Sequence, residues 1–299
     1  MNNLFAVINT IHRPVDLVSR ALRSALNQSP AFQGIYLIDQ NPVPLDLPQE
    51  LMSEERLVHL HAEVPSVSKA RNQALNLKWE GWLVFCDDDG YLAADYTEKL
   101  IQEINRNPGT SIFAGTILRD DTGAFYSHRH QVGGNLNHFM STKLLMGSNF
   151  CVKTETFFRL KGFDERFGAG AGWGSGEETD FAWKAYFSGV PMKFSTDLRV
   201  FHPKPYSATF SANCKKAFNY GRGKGALVGK WLIEERQPKV LFELSEMLAL
   251  PTARVFVKVI SFQLKEAAYL ICSIAGRIKG VFEFWVRGLR SSCTTKPNG

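Results

Sequence analysis

Three consecutive aspartates, Asp87, Asp88 and Asp89, close the apolar run "WLVFC" at Trp82–Cys86. Adjacent carboxylates repel, so their concentration at the end of a buried strand calls for positive charge beside them. Hard oxygen ligands at a sheet edge suit Mg2+ or Mn2+, which take few carboxylates and keep positions open for water and phosphate oxygens. A solvated turn or a helix N-cap cluster fits the same residues, since Asp is common before helices.

A second acidic group, Glu177, Glu178 and Asp180, follows a loop with glycine at five alternate positions from Gly168 to Gly176. Acids in a first helical turn are stabilised by the helix dipole, which accounts for them without any chemistry. Trp173, inside that loop, favours a chemical role: an aromatic face packs on a sugar ring, and glycines permit closure over it. A carboxylate there can take a proton from a hydroxyl. His202, in "VFHP", is either a packing residue after a strand or a ligand. Arg71, in "KARNQAL", is either a surface arginine or a phosphate contact. "YGRGKG" (Tyr220–Gly225) has the composition of a flexible basic loop but lacks P-loop spacing.

These groups need a scaffold. Apolar runs at Leu4–Thr10, Gly34–Gln40, Arg56–Ala62 and Trp82–Asp89 alternate with helical patterns at Leu17–Leu26 and Ser66–Leu77. Strands apolar on both faces, alternating with helices, predict a mostly parallel sheet covered by helices. Ligands of such sheets bind beyond the carboxyl ends of the strands, where Thr10, Asp39 and Asp87–Asp89 all fall. Asp95–Ile104 predicts a further helix, stopped by Asn107, Pro108 and Gly109. "SIFAGTIL" and "AFYSH", either side of "RDDTG", predict a hairpin in a mixed second half.

The chain has 299 residues, 44% hydrophobic and 21% charged, enough for one large domain and an appendage or for two modest domains. Its net charge of +6 lies wholly beyond Pro251, where eight Lys and Arg face two acids. The body is therefore neutral and lacks the interleaved basic and aromatic residues of a nucleic-acid binder. The five cysteines (Cys86, Cys151, Cys214, Cys272, Cys293) are scattered without a CxxC pair, which argues against a zinc site or disulfide framework and for a reducing compartment. "MNNLFAVINTIHRP" has no basic region ahead of an apolar stretch, so no cleaved signal is expected. From about Lys239 the sequence turns helix-like and apolar. Its longest uncharged piece there, Ala267–Gly276, falls short of the roughly 18 residues of a membrane span. Arg254, Lys258, Ser261 and Lys265 recur at spacings of four, three and four, predicting a basic stripe on one amphipathic helix. Such a helix fits an anionic membrane surface, or packing on the core or a second subunit.

In their order and spacing, "AVINTIHRP", "LIDQ", "KARNQAL", "FCDDDGYLAADY", "GSNFCVKTETFFRLKGFDERFG", "GSGEETDFAWKAYFSG" and "VFHP" resemble family-two glycosyltransferases of the GT-A fold, from about Leu4 to Lys230. The resemblance implies an α/β fold with a Rossmann-like, mixed, mostly parallel sheet flanked by helices. It implies a catalytic domain over residues 1–235, and the helix-like apolar texture beyond it predicts a C-terminal helical extension over 236–299. The resemblance further implies a nucleoside-diphosphate sugar donor, Mn2+ or Mg2+, and transfer with inversion to a hydroxyl acceptor. On this resemblance Thr10 and Arg13 line the nucleotide pocket, Asp39 contacts base or ribose, and Arg71 approaches the pyrophosphate. Asp87 and Asp88 lie near ribose and metal, with Asp89 the direct ligand and His202 completing the metal shell. Gly147, Ser148 and Asn149 open the acceptor-side strand. Glu178 is the catalytic base, with Glu177 as its rival, and Asp180 and Trp173 contact the acceptor. His12 stands where the family usually has Asn or Tyr-Asn, and Glu178 replaces its commoner Asp. The acceptor class expected is a lipid-linked or growing glycan in cell-envelope polysaccharide synthesis, made in the cytoplasm or at the inner face of the plasma membrane.

Two other classes use the same residue types. A nucleotidyltransferase would need the aspartates and Mg2+ but not the Gly–Trp loop or the second acidic group. A binding module that had lost catalysis would have no need to keep Asp87, Asp89, Glu178 and Asp180 together.

Overall fold

A computed structural model describes residues 3–62, 65–77, 80–131, 135–203 and 209–294. The chain packs as two compact units, Met1–Glu165 with Glu178–Pro205, and Arg166–Glu177 with Tyr206–Gly299.

The first unit runs β1 (Leu4–Thr10), α1 (Val15–Leu26), β2 (Gly34–Asp39), α2 (Gln49–Met52), β3 (Leu57–His61), α3 (Val67–Asn72), β4 (Trp82–Asp87), β5 (Tyr91–Leu92), α4 (Tyr96–Arg106), β6 (Ile112–Arg119), β7 (Asn149–Lys153), α5 (Thr154–Arg159), α6 (Glu177–Phe187) and β8 (Met192–His202). The strands form one sheet in the order β3-β2-β1-β4-β7-β6-β8-β5. β3, β2, β1 and β4 are parallel, β7 runs antiparallel between β4 and β6, and β8 is parallel to β6. Successive side chains of a strand face opposite sides, and both sides are buried here. Ala6, Ile8, Val84 and Cys86 join α1 and α4 on one side, while Val7, Leu83 and Phe85 join α3, α5 and α6 on the other. Phe85 stacks on Phe150 at 4.9 Å and meets Phe157 and Phe163 at 5.4 and 5.6 Å.

Register then sets the site. Thr10 pairs with Asp39 and Asn9 with Asp87, so three strands end together. Cys86 opposite Asn149 brings the start of β7 beside Asp87. The short β5, paired antiparallel with the end of β8 (Tyr91 opposite Phe201), carries His202 back to the aspartates.

The predicted Ser66–Leu77 helix begins where expected, with Ser66 Oγ accepting from the Lys69 amide, but it tightens into a 3₁₀ turn at Gln73–Asn76. The predicted hairpin is only half formed. Its turn closes through Arg119 N to Ala124 O at 2.7 Å, yet the returning segment pairs only at Phe125 and builds no second strand.

The second unit contains α7 (Phe210–Ile233), α8 (Val240–Ile260) and α9 (Leu264–Thr294). α7 packs in this unit, on the far side of the division expected at residue 235. "YGRGKG" is not a loop but the middle of α7. A β-carbon on Gly221 would strike the Ser273 carbonyl, and one on Gly225 that of Arg277, so these glycines let two helix backbones close up. The predicted single basic stripe is also broken: α8 ends at Ile260, and Arg254 and Lys258 lie on it while Lys265 lies on α9.

Candidate active site

At the carboxyl edge of β4 the three aspartates have separate partners. Asp88 is buried, accepting from Thr10 Oγ1 at 2.8 Å and from Arg13 Nε at 3.1 Å. Burial pushes its pKa up to about 6, against the pull of Arg13 and Thr10. Asp89 is held from both sides, by Arg13 Nη1 at 2.9 Å on one oxygen and His202 Nε2 at 3.0 Å on the other. Asp87 faces Arg71 Nη2 at 3.3 Å and His202 Nε2 at 3.6 Å. Burial would raise the Asp87 pKa, but hydrogen bonding to His202 and the Arg71 charge outweigh it, and the carboxyl lies below its ordinary value.

His202 is aimed by its own backbone. Its Nδ1 lies 2.9 Å from the Pro203 carbonyl, which turns Nε2 toward the carboxylates, and the Tyr126 ring meets it edge-on at 5.0 Å. Burial alone would lower the imidazole's pKa, but its bonds to Asp87 and Asp89 raise it to about 10. One ligand atom each from Asp87, Asp89 and His202 lie within 4.8 Å of one another. Two carboxylates and an imidazole, the latter fixed through its other nitrogen, match the donor set and outer-shell support of a divalent cation such as Mn2+.

Arg71 links this cluster to the second acidic group. It is buried on α3, 2% exposed, with Nη2 on the Gly147 carbonyl at 3.3 Å and Nη1 on Glu178 Oε1 at 3.4 Å. The surface-arginine account is therefore excluded. Gly147 leaves room for this: a β-carbon there would overlap the Glu178 carboxylate and stand 2.7 Å from Arg71 Nη1. Asp180, one turn along α6, is fully buried, with Lys184 Nζ at 3.7 Å, and Glu177 at the start of α6 is also buried.

Other expected contacts are engaged elsewhere. Asp39 lies at the same edge but is wholly buried, accepting from the amides of Asn41 (2.9 Å) and Leu45 (2.6 Å), from Asn41 Nδ2 (2.6 Å) and facing His59 Nε2 at 3.0 Å. It folds the loop after β2. Asn41 Oδ1 in turn accepts from the His12 amide at 2.7 Å, holding His12 at a left-handed φ of 53°, a conformation in which Asn, Asp and His are enriched. Asn149 presents nothing to an acceptor. Its amide donates to Thr116 and Leu198 carbonyls at 2.8 Å each and accepts from Tyr96 Oη at 2.8 Å, tying the sheet together from inside. Trp173 is likewise no open sugar platform. In the second unit it is 3% exposed, between the guanidinium groups of Arg222 (4.8 Å) and Arg287 (4.6 Å) and against Phe284. The glycine-rich stretch around it forms successive tight turns, with left-handed φ at Gly168, Gly170, Gly174 and Gly176.

Arg20 is a site neighbour that the sequence did not single out. From α1 it donates to the Asp89 carbonyl at 2.9 Å and to Asp120 at 3.2 Å, with its guanidinium over the Tyr91 ring. In sequence it is an ordinary helix arginine, and only the β5 turn brings Asp89 to it.

The mixed sheet with helices on both faces is a GT-A fold. The chain belongs to glycosyl transferase family 2, which its residues 6–167 match. It is similar to the mannosyltransferase PcManGT from Pyrobaculum calidifontis, in complex with GDP-Man and Mn2+, with TM-score 0.62 and 14% identity over 92% of this chain and 87% of that one. S. aureus TarS 1-349 follows at TM-score 0.54 and 14% identity, covering 96% and 92% of the two chains. GalNAc-T7 with UDP, GalNAc and Mn2+ has TM-score 0.53 and 16% identity over 79% of this chain and 49% of that one. Comparison with curated protein sequences gives no match.

Proposed function

We propose that this protein is an inverting, metal-dependent glycosyltransferase that moves a sugar from a nucleoside-diphosphate sugar to a hydroxyl of a lipid-linked or growing glycan. The observation carrying this reading is the convergence of Asp87, Asp89 and His202 within coordinating distance, joined through Arg71 to the carboxylate of Glu178. The Mn2+ and nucleotide or nucleotide-sugar ligands in the PcManGT and GalNAc-T7 structures support it.

Asp87, Asp89 and His202 would hold the divalent cation, which when bound offsets charge on the departing diphosphate. Thr10 and Arg13 position Asp88 at the nucleotide side. Glu178 would act as the base, a reading supported by its being one-third exposed while Glu177 and Asp180 are buried. It would take the acceptor hydroxyl's proton as that oxygen bonds to the anomeric carbon. The carbon–oxygen bond to the diphosphate breaks from the opposite face, and its electron pair leaves with the diphosphate. Arg71 orients the Glu178 carboxylate through Nη1 at 3.4 Å. A membrane-linked acceptor would place the protein at the inner face of the plasma membrane, in polysaccharide synthesis, and the apolar surface of the helical unit supports that placement.

The test supplies a panel of nucleotide sugars with Mn2+ and measures nucleoside diphosphate release. Glu178→Gln should lower turnover by roughly 10²–10⁴-fold with donor binding retained. Turnover at the wild-type rate would remove Glu178 from the mechanism.

A further inference from the structure

α8 and α9 meet in a short turn, Ser261–Gln263, and the ends of both helices around it are apolar and open to solvent. Phe256, Val257, Val259, Ile260, Phe262 and Leu264 are between 47% and 88% exposed. Neighbouring helical residues point about 100° apart, so Phe256, Val257, Val259 and Ile260 share one arc of roughly 160° at the α8 end, with Arg254 and Lys258 on the opposite side. A helix end with a broad apolar arc and basic residues opposite has the pattern of a helix lying on a membrane surface.

Phe262 sharpens the point. It sits at a left-handed φ of 54°, a conformation that favours glycine, and its ring is 88% exposed. No burial in the fold accounts for a large aromatic there. Basic side chains collar the tip: Arg254 and Lys258 on α8 and Lys265 on α9, with Glu266 the one acid among them. Lys258 Nζ also bonds Gln263 Oε1 across the turn. Residues from Pro251 onward carry the whole net charge of +6. Long basic side chains bury their stems in apolar surroundings while their charges reach a polar boundary.

We infer that this tip docks the protein on an anionic bilayer. Phe256–Leu264 enters the boundary between headgroups and acyl chains, and Arg254, Lys258 and Lys265 pair with lipid phosphates. Among the described residues no helix is long and apolar enough to cross a membrane, so the contact is with one leaflet. The inference rests on the membrane-surface part of the proposed function and not on its chemistry.

The test is cosedimentation of the full-length protein with vesicles of phosphatidylcholine alone and of phosphatidylcholine with about one-third phosphatidylglycerol. The expected result is binding to the anionic vesicles that weakens with salt and falls at least about tenfold in Phe262→Asp and Ile260→Asp. Nucleoside diphosphate release with a water-soluble acceptor should be unchanged in both variants. Wild-type protein left in the supernatant with anionic vesicles, or binding by Phe262→Asp equal to wild type, overturns the inference. So does a dimer that Phe262→Asp converts to monomer, which would assign the tip to a second copy of the chain. Vesicle-bound protein that releases no nucleoside diphosphate from any donor would sink the transfer reading and leave the docking intact.

Discussion

The Glu178 carboxylate lies over Gly147, in the space that a β-carbon at residue 147 would fill. The same absent β-carbon gives Arg71 its approach to the Gly147 carbonyl at 3.3 Å. One glycine therefore sets the distance between the candidate base and the arginine that orients it. Gly147→Ala should displace both side chains while leaving the sheet intact. A shift of about 1 Å in a reacting group costs on the order of 10²-fold, so steady-state turnover should fall by about that factor with far-ultraviolet circular dichroism unchanged. Full turnover in the alanine variant would mean that Glu178 works from another position.

Asp89 is bonded to both His202 and Arg13. A ligating imidazole is neutral, so Asp87, Asp89 and His202 would hold a divalent cation with release of the His202 proton. Loss of even an outer-shell partner costs metal sites about 10–100-fold in affinity, and loss of a direct ligand should cost at least that. Asp89→Ala and His202→Ala should each weaken Mn2+ binding by tenfold or more, read as free Mn2+ by electron paramagnetic resonance. Unchanged affinity in both variants would dissolve the assigned site.

The convergence of Thr10, Asp39 and the aspartates was legible because parallel strands apolar on both faces can end on only one edge, and chain order then fixes which residues meet there. What lay hidden depended on packing partners far away in sequence. Asn149 has the composition of a binding residue, but its three hydrogen bonds go to Tyr96, Thr116 and Leu198, on other elements. The break after Ile260 left no trace because Phe262, not glycine, takes the left-handed position that ends the helix. Arg71 was ambiguous in sequence since a buried arginine and a solvated one look alike until their carboxylates are located.

Trp173 invites a test of the loop it anchors. Its indole lies between Arg222 and Arg287, with Phe167 and Phe284 beside it, and Arg222 also bonds Glu283 at 2.6 Å. Truncating a buried tryptophan costs about 3–5 kcal/mol. Trp173→Ala should therefore lower the melting temperature by several degrees. A variant with wild-type melting temperature and a weakened acceptor KM would restore Trp173 as a sugar platform.

Asp39 gives the clearest pH dependence. Burial raises its pKa, but the amides of Leu45 and Asn41, the His59 ring and the Asn41 side chain stabilise the charged form, and the net direction is downward. A carboxyl depressed in the folded state binds its proton more readily when unfolded. Its contribution is therefore fully present above the unfolded value of roughly 3.9 and is lost as pH falls through the folded one. Asp39→Asn replaces one acceptor oxygen with a donor facing other donors, which should cost roughly 1–3 kcal/mol at pH 7. Urea unfolding of the two proteins should show that gap at pH 7 and its progressive closure below about pH 4. A gap that stays constant as pH falls that far would mean that Asp39 has the same pKa folded and unfolded, so that its charge contributes no net stability to the loop after β2.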